Sequence, residues 1–270
     1  MARPEKTLDF IKKTFPRDAK KGAWLTKTPG IGRLIEYLLF EGDKLICLPR
    51  DKVVQIGKPV EEQGQMALPS QLVDHFIDLA SYHVVMNFCI CRRSMPCKDY
   101  PIDLGCLFMG DAAKDINPTW GRHVTKEEAK AHIRKCQDAG LIHFIGRSKL
   151  DTVWLGIGPG HKLLTVCNCC PCCCITRGLP YMADRFTEKL IKAPGVTLKV
   201  TDDCVGCGAC TKVCVAQAIS LVEGKAVMSG ACVGCGRCAD KCPKNAIELV
   251  VDQARFMEES KAAIAPLVDI

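Results

Sequence analysis

Long apolar runs are missing from this chain: nowhere in its 270 residues do about 18 apolar positions follow one another, so no membrane-spanning helix is expected. Aromatic residues are scarce at 6% and the basic residues gather into no stripe, which argues against a nucleic-acid surface. Met1 to Phe15 mixes Lys, Arg, Glu and Asp where an export signal would carry an apolar core, so a cytoplasmic location with reduced thiols is expected. Gly30, Gly32 and Arg33 make no phosphate loop, because no clear strand precedes them and no Gly-Lys-Ser/Thr follows. His123, His132, His143 and His161 lack ligand spacing and read as core or surface histidines.

What the chain has instead is cysteine, 20 residues of it, in a composition (48% hydrophobic, 25% charged) that folds without disulfides. Reduced thiols at this density imply metal. Eight of them fall in two copies of one spacing, Cys204-x2-Cys207-x2-Cys210-x3-Cys214 and Cys232-x2-Cys235-x2-Cys238-x3-Cys242. Two intervening residues let successive sulfurs reach three corners of a cube from one tight loop. Gly206, Gly208, Gly234 and Gly236 supply the positive φ values such a loop needs, and the amides it frees can donate to sulfur. Zinc prefers separated C-x2-C pairs and fits this run poorly. The repeat of 28 positions extends from Cys204-Val205-Gly206-Cys207-Gly208 to Ala218-Ile219 and Leu221, matched by Ala246-Ile247 and Leu249. Each half reads as cluster loop, short helix and strand.

Val200 to Val250 resembles a bacterial-type two-cluster 4Fe-4S ferredoxin. The resemblance implies two cubane clusters, one on Cys204, Cys207, Cys210 and Cys242, the other on Cys232, Cys235, Cys238 and Cys214, because in that family the fourth cysteine of each run crosses over. Val215 departs from the pattern, standing where a proline matching Pro243 would follow Cys214. At roughly −2 per thiolate-held cubane, two clusters reduce the formal net charge of +7 to about +3.

A second group comprises Cys89, Cys91, Cys97 and Cys106, then Cys167, Cys169, Cys170, Cys172, Cys173 and Cys174. Adjacent free thiols would be a reactive liability without metal, so all ten are candidate metal ligands. Neighbouring residues project in different directions, which favours two centres, or one larger non-cubane cluster, over a single cubane. The preferred arrangement joins the four earlier sulfurs to a subset of the run, holding one or two further iron-sulfur clusters, with zinc as the competing metal. Asn87 to Arg177 resembles a block found in multi-cluster ferredoxin-like proteins of anaerobes, and its adjacent cysteines are loosely similar to those of heterodisulfide reductases. Cys47 and Cys136 sit in apolar patterns and read as core thiols. Arg92, Arg93, Lys98 and Arg177 flank the patches, either balancing anionic clusters or forming ordinary surface.

The expected fold class is α+β, with a small N-terminal α/β region (1–86), a cysteine-rich central domain with helix and hairpin (87–195), a ferredoxin-like two-cluster domain (196–251) and a tail helix (252–270). Periodicity predicts helices over Ile31 to Phe40 and over Gln71 to Val85 with Ser70 as N-cap. Leu45 to Leu48 and Val53 to Ile56 read as a hairpin across Pro49 to Asp51. Thr125 and Glu128 form a capping-box pattern opening a helix that buries Ala129, Ile133 and Cys136 and ends at Gly140. Strands are expected over Leu141 to Ile145, Thr152 to Ile157 and Leu163 to Val166, a helix-then-hairpin order like that of a winged helix. A further helix is expected over Asp184 to Lys192, with Pro194 and Gly195 as linker.

These features predict an iron-sulfur electron-transfer protein that serves a redox partner, with electrons passing between the terminal module and the central cysteines. Two competing readings are a reductase with a catalytic, site-differentiated or non-cubane cluster in the central block, and a metal-stabilised regulatory binding protein.

Overall fold

The computed structural model describes residues 5–15, 19–51, 54–55 and 69–270. The chain opens with α1 (Glu5–Thr14), α2 (Ala19–Lys27) and α3 (Ile31–Leu39), then β1 (Lys44–Cys47), β2 (Val54–Gln55), α4 (Pro69–Leu79) and β3 (His83–Met86). The middle carries α5 (Ile90–Ser94), β4 (Leu107–Met109), β5 (Gly121–His123), α6 (Lys126–Asp138), β6 (Ile142–Arg147), α7 (Lys149–Leu155) and β7 (Leu164–Cys169). The remainder is α8 (Asp184–Thr187), β8 (Leu190–Lys192), β9 (Val196–Val200), α9 (Ala209–Val213), β10 (Ile219–Val222), β11 (Lys225–Met228), α10 (Arg237–Asp240), β12 (Ile247–Val251) and α11 (Gln253–Ile264). The fold is α+β, and no described helix is long and apolar enough to cross a membrane.

Seven strands form the main sheet in the order β5-β3-β4-β7-β6-β1-β8. Alternation along these strands separates two faces. Val85, Leu107, Met109, Ile145, Leu164 and Val166 pack with Leu72 and Phe76 of α4, Ile133 of α6 and Phe256 of α11 in one core. Their neighbours Val84, Met86 and Phe108 face the other way, with Trp120 and with Leu8 and Ile11 of α1. On β7 the same pleat carries Leu164 and Val166 into the first core and leaves Cys169 in a cluster with Phe144 and Cys174 on the opposite face. A sheet pleat therefore decides which cysteines can meet.

The capping box is present in full: Glu128 N–H donates to Thr125 Oγ1 at 3.2 Å and Thr125 N–H to Glu128 Oε2 at 2.8 Å. Such a cap contributes about 1 kcal/mol. Ala129, Ile133 and Cys136 are buried on that helix as expected.

Other expectations are corrected. Leu45 to Leu48 and the described part of Val53 to Ile56 form no hairpin: β1 pairs antiparallel with β6 and parallel with β8, whereas β2 pairs parallel with β12. Val53 and Ile56 lie outside the described residues. The helix predicted to reach Val85 ends at Leu79, and Val84 belongs to β3, where sheet pairing overrides a helical period. Ser70 lies inside α4, its N–H bonded to Asp51 Oδ1 at 3.0 Å, and is no N-cap.

Thr152 to Ile157 is no strand, because α7 covers most of it: Ser148 caps its start by accepting from Asp151 N–H, and Gly156 closes it at φ 67°. The winged-helix order fails with it. Asp184 to Lys192 splits into the short α8 and the strand β8. The tail helix docks, burying Phe256 and Ile264 completely.

The C-terminal repeat folds as two β-loop-α-β halves that exchange partners. β9 of the first pairs with β12 of the second, and β10 with β11. Each half is closed by the other.

Candidate metal centres

In the first half-loop Gly206 and Gly208 take φ values of 65° and 73°, and in the second Gly234 and Gly236 take 74° and 78°. The turns aim amides at sulfur: Ala226 N–H donates to Cys204 Sγ at 3.4 Å, Ala218 N–H to Cys214 Sγ at 3.3 Å and Ala246 N–H to Cys242 Sγ at 3.2 Å. Cys204, Cys207, Cys210 and Cys242 line one small cavity, so the last cysteine of the second run meets the first three of the first. Reciprocally, Cys214 lies in the electrostatic neighbourhood of Cys232, Cys235 and Cys238.

The two nests differ in exposure. Cys207 is exposed and the backbone amides of Ala226 and Gly206 hold the Cys204 thiol below its ordinary range. In the second nest burial pushes Cys235 up and drives Cys238 to about 12, with Cys235 and Cys232 adding to the effect. Buried thiols of this kind ionise when a metal core takes the charge. Donor type, loop conformation and N–H···S bonds all fit iron-sulfur clusters.

Ten central cysteines divide into two groups. Cys97, Cys170, Cys172 and Cys173 bring their sulfurs within 4.8 Å of one another. Cys89, Cys91, Cys106, Cys167, Cys169 and Cys174 line an apolar chamber of about 120 Å³ together with Phe40, Trp154 and Phe186, and Cys170 reaches its wall as well. The run splits because β7 sends Cys167 and Cys169 to the chamber face, while Cys170, beyond the strand end, joins Cys136 and Cys173 against α6.

Cys89 is the N-cap residue of α5 and Cys91 lies within it, so the first patch is partly helical. In the chamber Cys174 Sγ stands 3.1 Å from Cys169 Sγ. Contact with Cys169 and Cys91 holds Cys174 well below the ordinary thiol range, and contact with Cys91 brings Cys89 to about 7. Cys91 and Cys106 go the other way, raised by their sulfur neighbours Cys174 and Cys167 and by burial. Without a cation, the six thiols cannot all ionise at neutral pH.

Arginine and asparagine organise this region. Arg92, read in the sequence only as a flanking charge, is fully buried, donates from Nη1 to the Asn168 carbonyl at 2.8 Å and from Nη2 to the Leu104 carbonyl. Burial opposes its charge, but Cys89, Cys170, Cys106 and Cys169 favour it and raise its pKa. Asn168 joins the layers: its Oδ1 meets His143 Nδ1 at 2.7 Å and its Nδ2 donates to the Gly105 carbonyl at 2.7 Å. Burial drives His143 down to about 4, so it is a neutral core residue. His132 likewise bonds the Gly105 carbonyl, at 2.9 Å. Arg93 stacks its guanidinium 4.3 Å from the Phe88 ring centroid.

Sequence reasoning missed Arg237. It is 5% exposed, donates from Nη2 to the Cys169 carbonyl at 3.0 Å and from Nη1 to Tyr100 Oη at 3.3 Å, and its charge favours the Cys235 thiolate. An arginine inside a cysteine run, directly after Gly236, was the available signal. Cys47 is buried as expected, yet it shares an apolar cluster with Cys169, Cys174 and Val233, against which Cys235 packs. Cys136 is also buried, 3.5 Å from His132 Nε2.

Residues 203–247 match the family described as a 4Fe-4S dicluster domain. No curated protein and no solved structure matches the chain. The chain thus carries a 4Fe-4S ferredoxin-like domain on residues 203–247, with the chemistry of an iron-sulfur electron-transfer protein.

Proposed function

We propose that the ferredoxin-like domain and a further iron-sulfur centre in the six-cysteine chamber form one electron relay, which serves a partner redox protein or enzyme in a reducing, cytoplasmic compartment. The observation that carries this reading is the path through Arg237, a single buried side chain that touches the chamber strand at Cys169 and sits beside the thiols of the second ferredoxin nest. Val233 and Cys235 pack with Cys169 and Cys174 in the same apolar cluster.

When bound, the clusters supply one-electron carriers whose potentials depend on exposure and on hydrogen bonds to sulfur. The residues set those conditions. Exposed Cys207 and Val205 make the first nest the outward-facing one, while half-buried Cys235 and buried Cys238 turn the second toward the interior. Arg92 and Arg237 hold positive charge beside the inner sulfurs, which favours an added electron there.

A second reading is a reductase whose substrate is reduced in the chamber. It is favoured by the apolar wall of Phe40, Trp154 and Phe186 and by Asp151, which burial raises to about 6, so that a proton donor faces the same cavity. Anaerobic purification with iron and sulfide counts tests the relay. About eight irons per chain would confine iron to the ferredoxin-like domain and end the proposal, whereas twelve or more would support it. An open iron position, seen as a spectral change when a small ligand such as cyanide is added to the reduced protein, would favour the reductase.

A further inference from the structure

The geometry points to two central metal centres of different kinds: Cys97, Cys170, Cys172 and Cys173 bind one tetrahedral zinc ion, while the six-cysteine chamber takes the iron. The inference refines the relay proposal, since it removes four of the ten central cysteines from iron ligation.

Sulfur spacing is the reason. Four sulfurs each about 2.3 Å from one zinc ion lie about 3.8 Å from one another. Cys97 and Cys172 Sγ are 3.5 Å apart, Cys172 and Cys173 Sγ are 3.6 Å apart, and all four fall within 4.8 Å. A cubane holds its thiolates outside a four-iron core and must spread them further.

The molecule contains its own standard for that spread. Among the described residues, the eight ferredoxin cysteines bring no three sulfurs together as closely as this nest brings four. Those eight sit in loops built for cubanes, so the tighter nest is sized for a single ion.

Its ligand pattern agrees. Cys170-Pro171-Cys172-Cys173 contains a C-x2-C knuckle whose Cys173 N–H donates to Cys170 Sγ at 3.3 Å, partly offsetting thiolate charge. Cys97 arrives from another loop and closes the tetrahedron, leaving no open position, as in a structural zinc site. The ion would fasten the Cys97 loop to the turn after β7, and that turn delivers Cys174 to the chamber.

The chamber sulfurs follow no such plan. Cys169 and Cys174 are in contact, but among the described residues no three chamber sulfurs converge within the same limit. They surround a space instead of a point, which suits a polynuclear centre.

The test uses full-length protein purified without oxygen from cells supplied with both iron and zinc, with metals counted by mass spectrometry. One zinc per chain is expected. The double variant Cys97→Ala, Cys172→Ala should lose at least nine-tenths of that zinc with its iron content unchanged. Zinc absent from the parent, or iron lost from the variant while zinc stays, overturns the assignment. Should the variant fail to fold, zinc-edge X-ray absorption of the parent decides: a shell of four sulfurs supports the nest and a mixed nitrogen or oxygen shell overturns it. Iron above about eight per chain without zinc would sink the zinc assignment and leave the relay standing, whereas zinc with only about eight irons would keep the zinc nest and end both the relay and the chamber's iron.

Discussion

Arg237 Nη2 lies 3.0 Å from the carbonyl oxygen of Cys169, joining two cysteine runs that are 68 positions apart in the chain. Replacing it by glutamine removes the positive charge beside Cys235 and one anchor of the chamber strand. The potential of the inner ferredoxin centre should fall by tens of millivolts while the outer one holds, because a lost cation disfavours the added electron. Redox titration followed by electron paramagnetic resonance reads both centres; equal shifts, or none, would contradict this placement. The lost buried bonds should also cost about 2 kcal/mol of stability.

Asn168 is 1% exposed and satisfies His143, Gly105 and Arg92 at once. Truncation to alanine keeps the backbone acceptor for Arg92 but strands His143 Nδ1 and takes one of two partners from the Gly105 carbonyl, which keeps His132. A loss of about 3 kcal/mol in denaturant unfolding is expected. Thr125→Ala, which removes only a surface cap, should cost about 1 kcal/mol. Equal losses would show that Asn168 is no hub.

Two glycines of the outer loop respond differently to alanine. A Cβ on Gly206 would stand 2.2 Å from the Gly224 carbonyl oxygen at φ 65°, whereas one on Gly224 would meet nothing within 4 Å at φ 73°. Gly206→Ala should therefore strip the outer centre and about four irons per chain, while Gly224→Ala costs only about 1 kcal/mol of left-handed backbone strain. Iron counts on the two variants make the comparison.

Stability should depend on Asp43. Burial raises its carboxyl from 3.8 to about 7, against the Lys149 N–H bond that favours ionisation. Between those values the native state keeps a proton that the unfolded chain has released, so stability falls as pH rises through the window and levels off above it. Asp43→Asn cannot ionise and should gain about 1 kcal/mol on the parent between about pH 6 and about pH 8. Unfolding midpoints at the two pH values measure it; a constant difference would rule the titration out.

What could be read in the sequence was local. The ferredoxin loops depend on cysteine and glycine at fixed offsets, and the α6 cap on Thr125 and Glu128, so each carries its own signal. What could not be read was long-range pairing: nothing near Val54 says that its strand partner is Leu249, or near Leu45 that it pairs with Gly146 and Leu190. Thr152 to Ile157 failed for a smaller reason, since its β-branched and aromatic residues masked the cap at Ser148. The ten central cysteines were legible as metal ligands by residue type. Their division into four and six rests on the pleat of β7 and the turn after it, and Arg237 becomes visible only when β7 and α10 are brought together.

The pairing of Val54–Gln55 with Leu249 and Val250 bears on how this molecule can be taken apart. Excised as a fragment, residues 196–251 would carry β12 with its outer edge bare, and Leu249 and Val251 would lose the core that covers them. Such a piece would stick to its own copies. A foreign ferredoxin grafted in its place would offer β2 an edge strand not matched to it, so exchanging electron-transfer modules at this end requires the upstream segment to change with them.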